Sequence, residues 1–184
     1  RRAAAPRFTA RFNRFAYDRP AYNYIGWNLR DPRFADRRVR RALAMLMDRE
    51  AIRDGIYKGL ATIVTSGFMP GTPEFNPDIK PVPYDPEAAR KLLAEAGWRD
   101  SDGDGLLDRD GLPLKFEVAI TNQNPLAEQI LTLYKEALAR VGIELVIRPL
   151  EWASLLDRVD KREFEAVLMG WQMPPDPDPY QVWH

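Results

Sequence analysis

The chain contains no cysteine and a single histidine, His184. The lack of cysteine excludes disulfide scaffolds, thiolate metal sites and cysteine nucleophiles. One histidine gives a serine hydrolase triad almost no raw material and leaves no histidine pair for a catalytic zinc ion. The sequence also lacks the glycine-rich phosphate-binding motifs of dinucleotide-binding and P-loop proteins. The sequence therefore gives no support for a cysteine or serine nucleophile, a catalytic zinc site or a nucleotide-binding motif.

The chain has no excess of positive or negative charge, because its 27 basic residues balance its 27 acidic residues. No global field draws such a protein to nucleic acid or anionic lipid, so we expect no nucleic-acid partner. No apolar run approaches the roughly 18 residues that span a bilayer. A carboxylate-pair hydrolase stays open in principle, but no particular pair of acidic residues is singled out.

Enough apolar residues are present to form a real core, since 45% of the 184 residues are hydrophobic and 11% are aromatic. This length and composition predict one folded domain over residues 1–184. The sequence opens with "RRAAAPRF", without an initiator methionine or a signal peptide. We therefore expect a soluble piece of a longer chain.

Strand-like and helix-like segments alternate along the second half of the chain. "YNYIGWNL" predicts a strand over residues 22–29, and helices are expected after the caps Asp36, Asp48, Asp85 and Asn124. The later segments predict strand, helix, strand, helix and strand over residues 114–121, 124–142, 143–150, 151–163 and 164–171. Strands joined by crossover helices favour an α/β fold with a largely parallel sheet.

The helix after Asp36 carries four arginines beside its apolar stripe, at Arg37, Arg38, Arg40 and Arg41. They suit either an anion-binding patch or a solvated helix face. The second interpretation is favoured, because arginines lying off an apolar stripe usually contact water and nearby acids.

Ligands of open parallel sheets bind beyond the carboxyl ends of the strands, where loops converge. This rule selects three segments, residues 121–124, 150–152 and 171–180. They are rich in amides, tryptophan and carboxylates, which suits a concave site for a polar organic ligand. From these residues alone, Trp152 and Trp171 suit a ligand contact and a core position equally well.

The stretch "WRDSDGDGLLDRDG" is the best candidate for a metal site. Positions 1, 3, 5, 6 and 9 of an EF-hand loop are occupied by Asp100, Asp102, Asp104, Gly105 and Asp108. Leu106 is placed so that its backbone carbonyl could be a further ligand. Position 12 is Gly111 rather than the bidentate glutamate, and a strand rather than a second helix follows, so the loop is not typical of a calcium-sensor EF-hand. A structural Ca²⁺ loop and a metal-free turn remain as alternatives.

Several stretches together resemble the peptide/nickel family of bacterial extracellular solute-binding proteins that serve ABC importers. They are "YIGWNLRDPRFADRRVRRALAMLMDREAI", "YDPEAARKLLAEAGW", "GIELVIRPLEW" and "FEAVLMGWQMPPDPDPYQVWH". The resemblance implies an α/β lobe of the type II periplasmic-binding-protein kind, with a mainly parallel or mixed sheet flanked by helices. It also implies that residues 1–184 form most of the second of two lobes, with the first lobe absent.

The resemblance carries over a set of ligand-binding positions. These are Tyr24, Gly26, Thr121, Trp152, Trp171 and Gln172. Peptide-binding members carry "D-Y-x-D-P", whose first aspartate pairs with the peptide's ammonium group, and this chain has Pro175 at that place. Asp176 is the expected substitute, because a carboxylate suits an ammonium group. Without it, a sugar, an opine-like compound or another solute becomes the expected ligand.

The leading expectation is thus a non-enzymatic, monomeric, periplasmic or extracellular receptor lobe. It would bind a peptide or similar small polar solute and deliver it to a membrane permease. No cofactor is expected apart from the candidate structural Ca²⁺. The alternative is a calcium-dependent binding or adhesion module that uses residues 100–108.

Overall fold

The computed structural model describes residues 10–13, 15, 17 and 19–173. The strands of this part are β1 (Ala21–Trp27), β2 (Asp108–Arg109), β3 (Leu112–Pro113), β4 (Lys115–Thr121), β5 (Glu144–Leu150) and β6 (Ala166–Gln172). The α-helices are α1 (Pro32–Ala35), α2 (Arg37–Met45), α3 (Arg49–Ala51), α4 (Pro86–Glu95), α5 (Pro125–Ala139) and α6 (Trp152–Lys161). Among these residues no helix is both long enough and apolar enough to cross a membrane.

Four strands form one mixed sheet in the order β1-β6-β4-β5, and β2 pairs with β3 in a separate hairpin. Strand β4 runs parallel to both β5 and β6, whereas the edge strand β1 runs antiparallel to β6. The helices α5 and α6 provide the parallel crossovers. The expected α/β fold is confirmed, with one antiparallel edge that local sequence did not indicate.

The start and stop signals of the helices act as expected. The side chains of Asp36, Asp85 and Asn124 each accept a hydrogen bond from a backbone amide two or three residues later, which caps the first turn of α2, α4 and α5. Gly97 and Gly142 follow the ends of α4 and α5 with φ of 89° and 80°. This left-handed conformation is the usual glycine stop after a helix.

The helix expected after Asp48 is present but irregular. Asp48 caps the short helix α3, which passes at once into a π-helix over Ile52–Ile56. Shortly after it, Lys58 and Gly59 both have positive φ, at 57° and 74°. This segment forms one wall of the pocket described below.

The main core lies between the sheet and helices α2, α4 and α5. Trp27, Phe34 and Phe116 pack as a group of three rings with centroids 4.9–5.6 Å apart. The hydroxyl of the buried Tyr134 donates to the carbonyl of Leu43 at 2.8 Å, so α5 is tied to α2.

A smaller core lies on the opposite face of the sheet, under α6. Leu155 of α6 packs on Ala119 and Val167, and Met169 joins this cluster. Alternating residues of the strands therefore face α5 on one side and α6 on the other. This division decides which predicted ligand residues share a face.

The arginines of α2 make local contacts, as a solvated helix face requires. The guanidinium of Arg38 lies 2.6 Å from Asp36 and lowers the pKa of that carboxyl to about 2. Arg40 donates to the carbonyls of Phe34 and Ala35.

Candidate ligand site at the carboxyl edge of the sheet

The carboxyl ends of β4, β5 and β6 meet at one edge of the sheet. Because β1 is antiparallel, its first residues reach the same edge, where Ala21 lies opposite Gln172. Thr121 lies opposite Leu150 in the parallel pair β4–β5. All three segments chosen from the sequence therefore start at this edge, which is where ligands of open α/β sheets bind.

A pocket of about 600 Å³ opens at this edge on the α5 side and extends around the edge strand β1. Its floor is apolar and consists of Ile25, Met47, Ile52, Ile130 and Leu168. Tyr22 and Tyr24 form the β1 wall, and residues 60–70 form the wall opposite. The volume lies within the roughly 300–1,000 Å³ typical of small-ligand pockets.

Four predicted residues share the face of the sheet that carries α6. Tyr24 and Gly26 lie opposite Met169 and Val167, and Trp171 follows on the same side of β6. Thr121 shares the face of Ala119, which packs under α6. Tyr24 also lines the pocket. The pKa of its hydroxyl is raised, mainly because the residue is partly buried and to a smaller extent because Tyr22 lies nearby.

Gly26 permits close contact between β1 and β6. A Cβ at this position would lie 3.3 Å from Cγ2 of Val167 and 3.5 Å from the ring of Tyr24. An added Cβ would crowd the side chain of Val167, whereas its distance from the Tyr24 ring is an ordinary van der Waals contact. Gly26 thus positions the wall of the site rather than offering a side chain to a ligand.

Trp152 is the first residue of α6 and 53% of its surface is exposed. It follows Leu150 closely, and the loop is fixed by a hydrogen bond of 2.7 Å from the amide of Asn122 to the Leu150 carbonyl. The side chain of Asn122 also donates to Glu151. An exposed indole on a fixed loop is suited to stacking on a ligand.

Gln172 projects to the other face of β6, where its amide oxygen accepts from Arg19 at 3.0 Å. Asp176, the expected partner of a ligand ammonium group, lies outside the described residues. The structure therefore places Thr121, Trp152 and Trp171 at or just beyond the carboxyl ends of their strands. Tyr24 lies further along β1, on the face that carries Trp171, and Gln172 lies on the reverse side of β6.

The end of β6 is open on one side. Strand β1 pairs with β6 along its whole length, from Ala166 to Gln172. Strand β4 pairs with it only at Ala166 and Val167. Within the part of the chain that is described, no strand pairs with the β4 side of β6 beyond Val167, so this side offers a place where an extended chain can pair.

Three arginines line the pocket, and no acidic residue does among the residues that the structure describes. Arg49 is half-buried, and this burial lowers the pKa of its guanidinium. Its Nη1 donates to the carbonyl of Ala44 at 2.9 Å. Among the described residues no carboxylate lies within 4.0 Å of it; Arg53 pairs with Asp54, and Arg19 with Gln172.

The π-helix orients one polar contact of the pocket. It ends at Ile56, and the hydroxyl of the next residue, Tyr57, accepts from the side-chain amide of Asn23 at 2.9 Å. The side chain of Asn23 lies over Gly170, and a Cβ on Gly170 would lie only 2.9 Å from Oδ1 of Asn23. A π-turn is rare and often marks a functional site, because it shifts the side chains that follow it.

Sequence reasoning missed this wall of the pocket. Arg49, Arg53 and Tyr57 lie in a helix whose π-turn has no sequence signal, and residues 60–70 have no periodic pattern. The one usable clue was the paired aromatic "YNY", since Tyr22 accompanies the predicted Tyr24.

The aspartate-rich loop lies between α4 and the hairpin β2–β3. Carboxylate oxygens of Asp100, Asp102 and Asp104 lie within 4.8 Å of one another, and all three residues are exposed. Each also caps loop amides; Asp100, for example, accepts from Gly103 at 2.7 Å and from Gly105 at 3.1 Å.

The remaining predicted ligands of Ca²⁺ are placed differently. Both carboxylate oxygens of Asp108 accept from the hydroxyl of Ser101 at 2.8 Å, which closes the base of the loop. The amide of Leu106 donates to Asp104 at 2.7 Å. The calcium site stays a prediction, with three of its five residues brought together.

A family model described as "Bacterial extracellular solute-binding proteins, family 5 Middle" matches residues 4–184. The chain is 35% identical over 169 residues to the oligopeptide-binding protein AppA of Bacillus subtilis, covering 89% of this chain and 31% of that protein. It is 31% identical to di/tripeptide-binding protein 1 of Pseudomonas aeruginosa, covering 80% of this chain and 26% of that protein. The chain thus spans between a quarter and a third of the length of these relatives.

Solved structures agree with the fold. The structure of Bacillus subtilis AppA in complex with a nonapeptide superposes with a TM-score of 0.79 at 34% identity, over 89% of this chain and 33% of that one. The oligopeptide-binding protein of Thermus thermophilus superposes with a TM-score of 0.79 over 96% of this chain and 33% of that one, and at 24% identity it supports the fold alone.

The calcium-dependent adhesion module receives no support from these comparisons. Members of the matched family are solute-binding proteins rather than enzymes. The strand-edge site, the fold and the match over residues 4–184 lead to the same conclusion: the chain belongs to family 5 of the bacterial extracellular solute-binding proteins.

Proposed function

We propose that the chain is the second lobe of the substrate-binding component of an ABC importer. It binds a peptide or similar small polar solute in the cleft between two lobes and delivers it to the membrane permease. Its relatives named for oligopeptides and dipeptides support a peptide over other solutes. The complete protein would act outside the cytoplasmic membrane as a monomer, without a nucleic-acid partner.

The observation that carries this proposal is the uncovered edge of β6 beside the pocket. Residues 168–172 have no strand partner on the β4 side among the described residues. An extended peptide can add there as a further strand, which supplies affinity through main-chain hydrogen bonds. At about 3.3 Å per residue, this edge is about 16 Å long and has room for about five ligand residues.

The predicted side chains flank that edge in complementary roles. Trp152 and Trp171 offer aromatic surface for ligand side chains on the α6 face. Thr121 and Gln172 offer polar groups at the strand ends, and Asp176 is the proposed partner of the ligand's ammonium group. Because the first lobe would supply the opposite wall, closure of the two lobes would exclude water from the ligand.

Isothermal titration of the complete protein with trialanine and a panel of tripeptides tests this function. The matched control is trialanine methylated on the backbone nitrogen of its central residue. The methyl group removes one N–H that could donate a hydrogen bond to a neighbouring strand. We expect trialanine to bind and the methylated peptide to bind at least tenfold more weakly, as loss of a paired backbone group requires. Failure of every peptide in the panel to bind would reject the peptide proposal.

Equal affinity for trialanine and its methylated form would reject the pairing of the ligand's main chain with β6, but it would leave the proposal of peptide binding in place.

A further inference from the structure

The four-stranded sheet consists of two strand pairs that are joined over a very short length. Strand β1 pairs with β6 along the whole of β6, and β4 pairs with β5 in the same way. Among the described residues, β4 pairs with β6 only through Val118–Ala166 and Ala119–Val167. Strand β6 then runs on beyond this junction to Gln172. The direction of its projecting part, which carries the proposed ligand edge, is therefore set at the foot of the strand.

Side chains take the place of strand pairing at the foot of β6. The backbone amide of Glu117 donates to Oε2 of Glu165 at 2.5 Å. In a continued parallel ladder, this amide would donate to a backbone carbonyl of the neighbouring strand. The carbonyl of Phe164 instead accepts from the side chain of Asn28 at 2.8 Å. The Glu165 carboxylate thus replaces one backbone acceptor of the ladder.

The other oxygen of the same carboxylate is held by Arg33. Nη2 of Arg33 lies 2.6 Å from Oε1 of Glu165, and Nη1 donates to the carbonyl of Lys115. Asp31 fixes this guanidinium, because its carboxylate accepts from Nε of Arg33 at 2.9 Å. The side chains of Arg33 and Asp31 are only 13% and 12% exposed. Such an enclosed group of charges is screened little by salt and holds its geometry better than an exposed ion pair.

We propose that Glu165 is a positioning residue for the ligand site. Its contacts with Arg33 and Glu117, which we call the Glu165 clasp, set the direction in which the free edge of β6 projects. The inference rests on the proposed function, because it concerns the edge to which the peptide's main chain adds. Glu165 comes directly before β6, at the opposite end of the strand from Gln172, and so acts without touching the ligand. A strand already held in the binding geometry loses less freedom when a ligand pairs with it.

Calorimetric titration of the complete protein with trialanine and its methylated form tests this role. The main variant is Glu165→Ala, which removes both acceptor oxygens. Glu165→Gln is a milder variant, because its neutral amide keeps only one acceptor for two donors. The matched control is Glu144→Ala, since the carboxylate of Glu144 pairs with Lys115 at 2.9 Å across the other side of β4. Thermal unfolding measures the stability of each protein separately.

The informative quantity is the ratio of the two affinities, because the methylated peptide lacks an N–H that pairs with a strand. We expect this ratio, at least tenfold in the unmodified protein, to fall below about threefold in Glu165→Ala and to be intermediate in Glu165→Gln. Glu144→Ala should leave it unchanged. A residue that only stabilises the fold would lower the melting temperature without changing the ratio. If Glu165→Ala does not fold, the ratio in Glu165→Gln carries the test.

A ratio in the Glu165 variants equal to that of the unmodified protein would overturn the positioning role, whatever the change in melting temperature. Failure of every peptide to bind the unmodified protein would instead reject the proposed function. Hydrogen exchange of the ligand-free proteins, followed by NMR, tests the clasp separately. The Glu117 amide should exchange at least tenfold faster in Glu165→Ala and at an unchanged rate in Glu144→Ala. Equal exchange of this amide in Glu165→Ala and in the unmodified protein would overturn the clasp itself.

Discussion

Replacement of Trp152 by alanine is expected to weaken ligand binding without unfolding the protein. The indole is 53% exposed, so about 130 Å² of its surface is free to contact a ligand, from the roughly 250 Å² of a tryptophan. A ligand that stacks on one face covers about half of that surface. At about 25 cal/mol per Å², the lost burial amounts to ~1.6 kcal/mol, or a 10- to 30-fold loss of affinity.

The assay is calorimetric titration of the complete protein with the tightest tripeptide of the panel. Leu29→Ala is the matched control, because Leu29 is 57% exposed but follows the opposite end of β1. The control should bind with unchanged affinity. An affinity within twofold of the unmodified protein for Trp152→Ala would refute the assignment of this indole to the ligand site.

Three other perturbations test the fold and the aspartate loop. Tyr134→Phe leaves the buried carbonyl of Leu43 without its donor and should lower the free energy of unfolding in urea by about 1–3 kcal/mol; no change would show that water replaces the bond. Arg38 depresses the pKa of Asp36 to about 2, so this carboxylate stabilises the fold above pH ~4 and that contribution is lost as the pH falls towards 2. Asp36→Asn should flatten this part of the pH–stability profile, and an unaltered slope would contradict it. Ca²⁺ at about 1 mM should raise the melting temperature of the unmodified protein but not of Asp104→Ala, whereas no shift in either would reject the metal site.

The parts of the fold that could be predicted from sequence are those with local signals. Asp85 followed by Pro86 starts a helix, and Gly97 ends it, since a cap, a fixed φ and a left-handed residue act over a few positions. The same logic places α5 between Asn124 and Gly142. Alternation of such helices with apolar strands was then enough to indicate an α/β sheet.

Features that depend on distant residues could not be predicted in the same way. The pairing of Ala21 with Gln172 joins the two ends of the described sheet and has no local signature. The π-helix at Ile52–Ile56 has an ordinary helical sequence, and its effect appears only in the contact from Tyr57 to Asn23. The pocket was missed for this reason, while a rule of topology predicted the strand-end segments as a ligand site, which stays a prediction.

Hydrogen–deuterium exchange over residues 166–173 of the complete protein, with and without saturating trialanine, shows whether a ligand's main chain pairs with the uncovered edge of β6. Alternate amides beyond Val167, those directed away from β1, should gain protection when the peptide binds, while the amides already paired with β1 should change little. Exchange in this segment that is the same with and without bound peptide would contradict this pairing.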